Sequence, residues 1–140
     1  MIPSRKLSDL LPDVAAKCDS FIRACADEGI DVLITSTYRD NESQDALYAV
    51  GRVKPGRKVT NARGGESLHN YRVAFDFVPL AHGKPMWEDE KLFARCGEIA
   101  EHVGLSWAGR WVSFKELAHC QYTEGKTIAD FQKEKLQSNT

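Results

Sequence analysis

The sequence predicts an α+β fold, a small and mainly antiparallel sheet flanked by helices, and three observations carry that prediction. Apolar residues recur at spacings of three and four in two long stretches, one near the start of the chain and one after its midpoint. Two runs rich in β-branched and aromatic residues, at 30–37 and 73–78, are too short to be helices of their own. Helices and strands also interleave irregularly, unlike the regular alternation of a doubly wound parallel sheet. With 140 residues, 42% hydrophobic and 28% charged, the chain reads as one domain over 1–140 that buries a core without disulfide staples.

From about residue 8 to 28, Leu11, Val14, Ala15, Cys18, Phe21, Ile22 and Cys25 form one apolar stripe, with Pro12 tolerated in the first turn and Gly29 as the stop. Position on that stripe makes Cys18 and Cys25 packing residues rather than ligands. The strand at 30–37 comes next and leads into Tyr38 and Arg39. Asn41 reads as the cap of a short helix, with Gln44 as its capping-box partner, Ala46, Leu47 and Val50 inward, and Gly51 as the stop.

Residues 52–65 are a loop with five cations, Arg52, Lys54, Arg57, Lys58 and Arg63, and no acidic residue. Such a loop is either a solvated surface or a docking site for an anionic substrate. After the second strand at 73–78, His82-Gly83 with Pro85 marks a turn. A helix at 88–102 then gathers Leu92, Phe93, Cys96, Ile99 and Ala100 on one face, while His102 falls on the other. Residues 105–122 read as short strands rich in tryptophan and glycine. Thr127 starts a last helix that frays into a polar tail, at 133–140 or from as early as 130.

Nineteen Lys and Arg against 20 Asp and Glu give a net charge of −1, so no global field draws a polyanion or an anionic membrane. With no basic helix or stacking platform either, the reading excludes nucleic acid. No apolar run approaches the roughly 20 residues that span a bilayer, and membrane insertion is excluded too; a monomer is expected. Four cysteines without C-x-x-C spacing read as free thiols of a chain made in a reducing cytosol.

Three groups bear chemistry: Ser67-Leu-His69 with Ala74-Phe-Asp76, Glu116-Leu-Ala-His119, and Ser36-Thr-Tyr38-Arg39. Asp76 interrupts an otherwise apolar strand, where its charge costs several kcal/mol unless a cation, a metal or several donors meet it. Taken singly, Asp76 fits a salt bridge to a nearby arginine, and His69 and His119 fit core imidazoles satisfied by backbone. Taken together, two histidines and a carboxylate are the nitrogen and oxygen ligands that suit zinc, with a fourth tetrahedral position left for water, the catalytic pattern. Cys120, next to His119 on a strand, points to the opposite face as packing, and His82 and His102 read as surface residues. Trp107 and Trp111 read equally well as cleft walls or as core.

These motifs resemble the zinc D-alanyl-D-alanine carboxypeptidases and L-alanyl-D-glutamate endopeptidases, the VanY-like family that includes single-domain phage endolysins. The family's Ser-x-His, Ala-x-Asp and acidic residue before a late His match Ser67, His69, Ala74, Asp76, Glu116 and His119 in order and spacing. The resemblance covers roughly 30–122 and extends to Ser36, Tyr38 and Arg39, to Gln44, Leu47-Tyr48 and Gly51-Arg52, and to Trp107-Ala-Gly109-Arg-Trp111 with Ser113-Phe114. Departures are Arg72 for a frequent Gly, the Ala-Gly-Arg between the two tryptophans for Gly-Gly-Asp, Ala118 for Pro, and Glu116 for Asp.

The resemblance implies a Hedgehog/DD-peptidase-like zinc peptidase fold, with His69, Asp76 and His119 binding Zn²⁺. Glu116 would take the proton of the attacking water and pass it to the leaving amine. Arg39 would steady the oxyanion or hold a substrate carboxylate, and Ser67 would hydrogen-bond substrate or support a ligand. Glu116 and His119 are three apart, so a turn at 114–118 is needed to bring both to one point. The implied activity is cleavage of peptidoglycan stem peptides at L-Ala–D-Glu by a phage or prophage endolysin. Alternatives are a D-Ala-D-Ala carboxypeptidase or dipeptidase and a non-enzymatic wall-binding module. Since no apolar segment comes after Arg5 and Lys6, the expectation is synthesis in the host bacterial cytoplasm without a signal peptide and action on the wall after release.

Overall fold

The computed structural model describes residues 1–113 and 115–138. Helix α1, Pro12–Asp27, starts with proline in its first turn and buries Val14, Cys18, Phe21 and Cys25, the stripe read from the sequence. Strand β1, Asp31–Ser36, pairs antiparallel with β2, Ala74–Ala81. The register runs Leu33↔Val78 and Ile34↔Phe77, then slips at a bulge so that Ser36 lies opposite Asp76. A bulge bends its strand and re-aims the residues beyond it; here Ser36 comes opposite Asp76, and the Thr37 carbonyl and the Arg39 side chain reach the same site.

At the far end of β2, His82 and Gly83 both have positive φ (52° and 76°) and return the chain into β3, Lys84–Pro85, as a two-residue hairpin. After helix α3, Glu90–His102, come β4, Ser106–Trp107, and β5, His119–Gln121. The strand order is β1-β2-β5-β4 with β3 paired to β2, and every pairing is antiparallel.

Alternation along β2 decides what each face does. Phe75 and Phe77 point to the helical layer, where Phe21 of α1 meets them at ring-centroid distances of 5.8 and 5.0 Å and Phe93 of α3 meets Phe77 at 5.5 Å. Asp76, between them in sequence, points to the other face. All four cysteines are free and buried among these apolar groups. Burial, with a smaller push from Asp19, raises the Cys18 thiol to about 12.

Trp107 is core: its ring lies against Gly97 of α3 and Gly109, where an added Cβ would come within 2.1 Å of it on either side. Its indole N–H donates to the Leu117 carbonyl at 2.8 Å, tying down the turn that precedes β5.

The structure corrects or adds to the local expectations at four points. Helix α2, Asn41–Ala49, is capped by Asp40, whose carboxylate accepts from the Ser43 amide at 2.9 Å, and Asn41 is its first helical residue. Gln44 therefore has no cap to close, and its side chain turns inward. The segment after Gly64-Gly65 is a 3₁₀ turn, Leu68–Tyr71, closed by a reciprocal capping box between Ser67 and Asn70. It ends on Arg72 at φ 65°, the left-handed region where glycine is at ease and other residues lose roughly 1–2 kcal/mol. Arg72 has offsetting contacts: its guanidinium stacks 3.8 Å from the Tyr38 ring centroid and donates to the Asp9 carbonyl at 2.9 Å.

The third correction is helix α4, Ile128–Ser138, which continues through most of the expected frayed tail. Thr127 and Asp130 cap it reciprocally, Lys126 pairs with Glu134 at 2.8 Å, and Phe131 stacks on Tyr71 at 5.3 Å. Asn139 and Thr140 lie outside the described residues. Fourth, residues 2–4, to which the sequence assigns no element, lie along the end of β1: Pro3 bridges Arg39, and Ser4 exchanges backbone hydrogen bonds with Thr37 and Tyr38.

Candidate active site

Antiparallel register places Asp76 of β2 directly opposite His119 of β5. His69 comes from the 3₁₀ turn, where the Ser67 hydroxyl accepts its backbone N–H at 3.3 Å. One side-chain atom from each of His69, Asp76 and His119 lies within 4.8 Å of the others. His69 Nε2 and His119 Nδ1 each approach Asp76 Oδ1 to 3.3 Å, and both rings are buried.

The outward ring nitrogens define the protonation of this cluster. His69 Nδ1 lies 2.8 Å from the Thr37 carbonyl, an acceptor that requires a hydrogen on Nδ1 and, in the neutral ring, leaves Nε2 with its lone pair toward Asp76. His119 Nε2 lies 2.9 Å from Gln121 Oε1, which leaves His119 Nδ1 in the same position. Two lone pairs and a carboxylate oxygen thus converge, and Asp76 Oδ1 is buried without a hydrogen-bond partner. A buried carboxylate oxygen facing two ring nitrogens calls for positive charge, supplied by a protonated imidazole in the metal-free site or by a metal ion between the neutral rings. The donor set, two imidazoles and a carboxylate, fits a zinc ion.

The electrostatics agree. Burial works against the charge on Asp76, but His119 and His69 outweigh it and hold the carboxyl below its usual range. Burial likewise lowers His119, yet Asp76, with help from Gln121 and Glu116, raises it overall. Both shifts describe a site built around one negative charge that seeks a positive partner.

Glu116 Oε2 stands 3.8 Å from His119 Nδ1, brought there by a turn at Leu117–Ala118, so the required reversal before His119 is present. Its side chain is 62% exposed on the lip of the cleft. Phe114, at the start of the segment assigned to that turn, lies outside the described residues.

Arg39 also reaches the cleft. Nη1 donates to Gln44 Oε1 at 2.7 Å and Nη2 to Ser36 Oγ at 3.0 Å, while its backbone amide donates to the His69 carbonyl at 3.1 Å. Burial draws its pKa down against the pull of Asp76 and Glu116; a guanidinium remains charged regardless. All six residues singled out from the sequence (Arg39, Ser67, His69, Asp76, Glu116 and His119) line one cleft of about 1280 Å³.

The structure brings further residues to the cleft, and of these the sequence offers only Trp111 for such a place. Gln44, 1% exposed, joins Arg39 to the opposite wall by donating to the Ala62 carbonyl at 2.8 Å. Gln121 meets His119, and the only signal for it is a polar residue two positions on along the same strand face. Trp111 is a cleft wall with its ring 5.7 Å from His119. Ile128, Ala129 and Gln132 of α4 form another part of the wall. Of the five loop cations only Lys58 lines the cleft. Arg52 and Arg63 instead stack on Tyr48, at 3.7 and 5.0 Å.

An antiparallel sheet carrying a His-Asp-His cluster at the floor of an open cleft, with a second carboxylate beside it, has the build of a metal-dependent hydrolase. The chain belongs to the VanY D-alanyl-D-alanine carboxypeptidase family, whose model matches residues 7–122. It is 42% identical over 123 residues to the peptidoglycan L-alanyl-D-glutamate endopeptidase CwlK of Bacillus subtilis strain 168, covering 81% of this chain and 74% of that protein. In fold it is similar to the L-Ala D-Glu endopeptidase ChiX of Serratia marcescens, with TM-score 0.63, 19% identity and coverage of 87% of this chain and 89% of that one. It is equally similar to the D,D-pentapeptidase VanY from a VanB-type vancomycin resistance cassette, a structure in complex with Zn(II), with TM-score 0.63, 15% identity and coverage of 87% and 83%. The small antiparallel sheet with flanking helices expected from the sequence is thus the fold of these peptidases. No described helix is long and apolar enough to cross a membrane.

Proposed function

We propose that this protein is a zinc-dependent peptidase that hydrolyses the L-Ala–D-Glu amide bond of peptidoglycan stem peptides. The observation that carries the zinc reading is the orphaned Asp76 Oδ1 facing the lone pairs of His69 Nε2 and His119 Nδ1. The choice of bond is supported by the 42% identity to an enzyme named for it.

In this reading His69, Asp76 and His119 hold the ion, and the Thr37 carbonyl and Gln121 orient the two rings. Bound zinc supplies Lewis acidity, which polarises a carbonyl oxygen and makes water more acidic. Glu116, exposed on the lip, takes the proton of the attacking water and carries it to the leaving amine nitrogen. Arg39 spends two of its five N–H groups on Gln44 and Ser36, which fixes the plane of the guanidinium. The other three remain for the developing oxyanion or a substrate carboxylate. Ser67 holds His69 in place through its backbone and sits where its hydroxyl meets substrate. The six residues with assigned roles all come from one chain, which supports action as a monomer.

The finer biological reading rests on the motif resemblance: a phage or prophage endolysin, one domain, made in the cytosol and released to the wall at lysis. A second reading, cleavage at D-Ala-D-Ala, is supported by the family to which the chain belongs. Digestion of purified stem peptides with mass spectrometry separates the two. L-Ala–D-Glu cleavage is expected, and release of terminal D-Ala alone would overturn the choice of bond. Glu116→Gln tests the chemistry, since loss of a general base costs about 10²–10⁴-fold. Zinc content should be unchanged; a fully active variant would remove Glu116 from the chemistry, whereas a wild type that cleaves no stem peptide would leave a wall-binding module as the better account.

A further inference from the structure

We propose that Gln121 is a positioning residue that fixes the tautomer of His119, keeping the hydrogen off the nitrogen that faces the metal position, an inference that rests on the zinc reading of the site. His119 and Gln121 are two apart on β5 and share a face. Across the ladder, Gln121 meets Ala74 on one side and Ser106 on the other, two small residues. With no bulky neighbour on either flank, the Gln121 side chain runs along its own strand until Oε1 sits 2.9 Å from His119 Nε2.

An amide oxygen only accepts, so this contact demands a hydrogen on Nε2. In a neutral imidazole one hydrogen is available for two nitrogens, and placing it on Nε2 leaves Nδ1 as the lone pair 3.3 Å from Asp76 Oδ1. The competing tautomer has its hydrogen on Nδ1, donates it to Asp76, and offers no ligand atom to a cation. Asp76 therefore pulls the hydrogen toward the metal position and Gln121 pulls it away. His69 faces the same competition, and the Thr37 carbonyl settles it in the same sense at 2.8 Å. A backbone carbonyl is fixed by the fold, whereas the acceptor for His119 is a side chain that substitution can remove. That makes the two halves of the site separable by mutation.

The test compares Gln121→Met, of similar length but without the acceptor, with Gln121→Glu, whose carboxylate can only accept. Zinc affinity is read by competition with a chelator, and the His119 tautomer by nitrogen-15 NMR of the imidazole. Gln121→Met is expected to weaken zinc binding about 10- to 100-fold, the usual consequence of losing a hydrogen bond to a liganding histidine. Gln121→Glu is expected to keep near wild-type affinity and the hydrogen on Nε2. Wild-type affinity in Gln121→Met, or equal weakening in both variants, overturns the proposal. If Gln121→Met does not fold, a hydrogen on Nδ1 in wild type or a weakened Gln121→Glu overturns it alone. A wild-type protein that binds no zinc refutes the reading of the site itself, a result distinct from either.

Discussion

Replacing Gly97 by alanine tests how the core holds the catalytic turn. The added Cβ would lie 2.1, 2.3 and 2.4 Å from three atoms of the Trp107 ring. Ordinary contact begins near 3.4 Å, so the ring must retreat by at least 3.4 − 2.1 = 1.3 Å. It cannot retreat toward Gly109, whose Cα already approaches the ring so closely that a Cβ there would also come within 2.1 Å. Overpacking of this kind costs about 1–3 kcal/mol. A shift of that size away from Leu117 also breaks the 2.8 Å indole bond to its carbonyl, another ~1 kcal/mol. Alanine regains about 1 kcal/mol of helix propensity, leaving a net loss of about 1–3 kcal/mol.

For a domain of this size each kcal/mol moves Tm by about 4 °C. Thermal unfolding should therefore fall by about 4–12 °C, by circular dichroism or calorimetry, on that conversion. Since Leu117 leads through Ala118 into His119, zinc affinity should fall with it. A Tm equal to or above wild type would refute the reasoning, for it would mean that the indole has room to move and does not anchor the turn.

Two further outcomes arise from the charges in the cleft. Asp76 is held below its usual range because two imidazoles outweigh burial, so its contribution to stability is present above the unfolded value of about 3.9 and is lost as pH falls through the lower folded value. His119 is raised because Asp76 outweighs burial, so its contribution is full below about 6.5 and is lost as pH rises through the higher folded value. Metal-free protein should then be most stable between about pH 4 and 6.5; zinc should add stability as pH rises, since its ligand must be neutral, and a metal-free protein steadily more stable above pH 8 would contradict this. Arg39→Lys keeps the charge but cannot hold both Gln44 and Ser36, so kcat/KM should drop about 10²-fold with zinc content unchanged, and a near-normal kcat/KM would remove the guanidinium from the reaction.

The centre of the site is conspicuous in the sequence for a physical reason. An aspartate amid Val-Ala-Phe and Phe-Val is costly unless partnered, and only a few histidines stand in settings to partner it. The helices α1 and α3 are equally plain from their stripes. The hidden features depend on contacts remote in sequence. Gln44 looks like a capping residue because Asp40 and Asn41 are both good caps, and only the fold shows that Asp40 takes the role and frees Gln44 for Arg39. The tail beyond 130 looks too polar to stay helical, and it does so because Phe131 finds Tyr71. The loop cations look like a docking surface, yet Arg52 and Arg63 serve to clip the loop to Tyr48.

Helix α4 begins at Ile128, after the family match has ended at 122, yet it supplies Ile128, Ala129 and Gln132 to the cleft. One bank of the channel is thus an appendage, joined to the rest mainly by a stacked ring and by Gln132 reaching the Gly65 carbonyl. Because Tyr71 closes the same 3₁₀ turn that carries His69, a change in this bank reshapes the channel and also bears on the mounting of one histidine of the reactive floor.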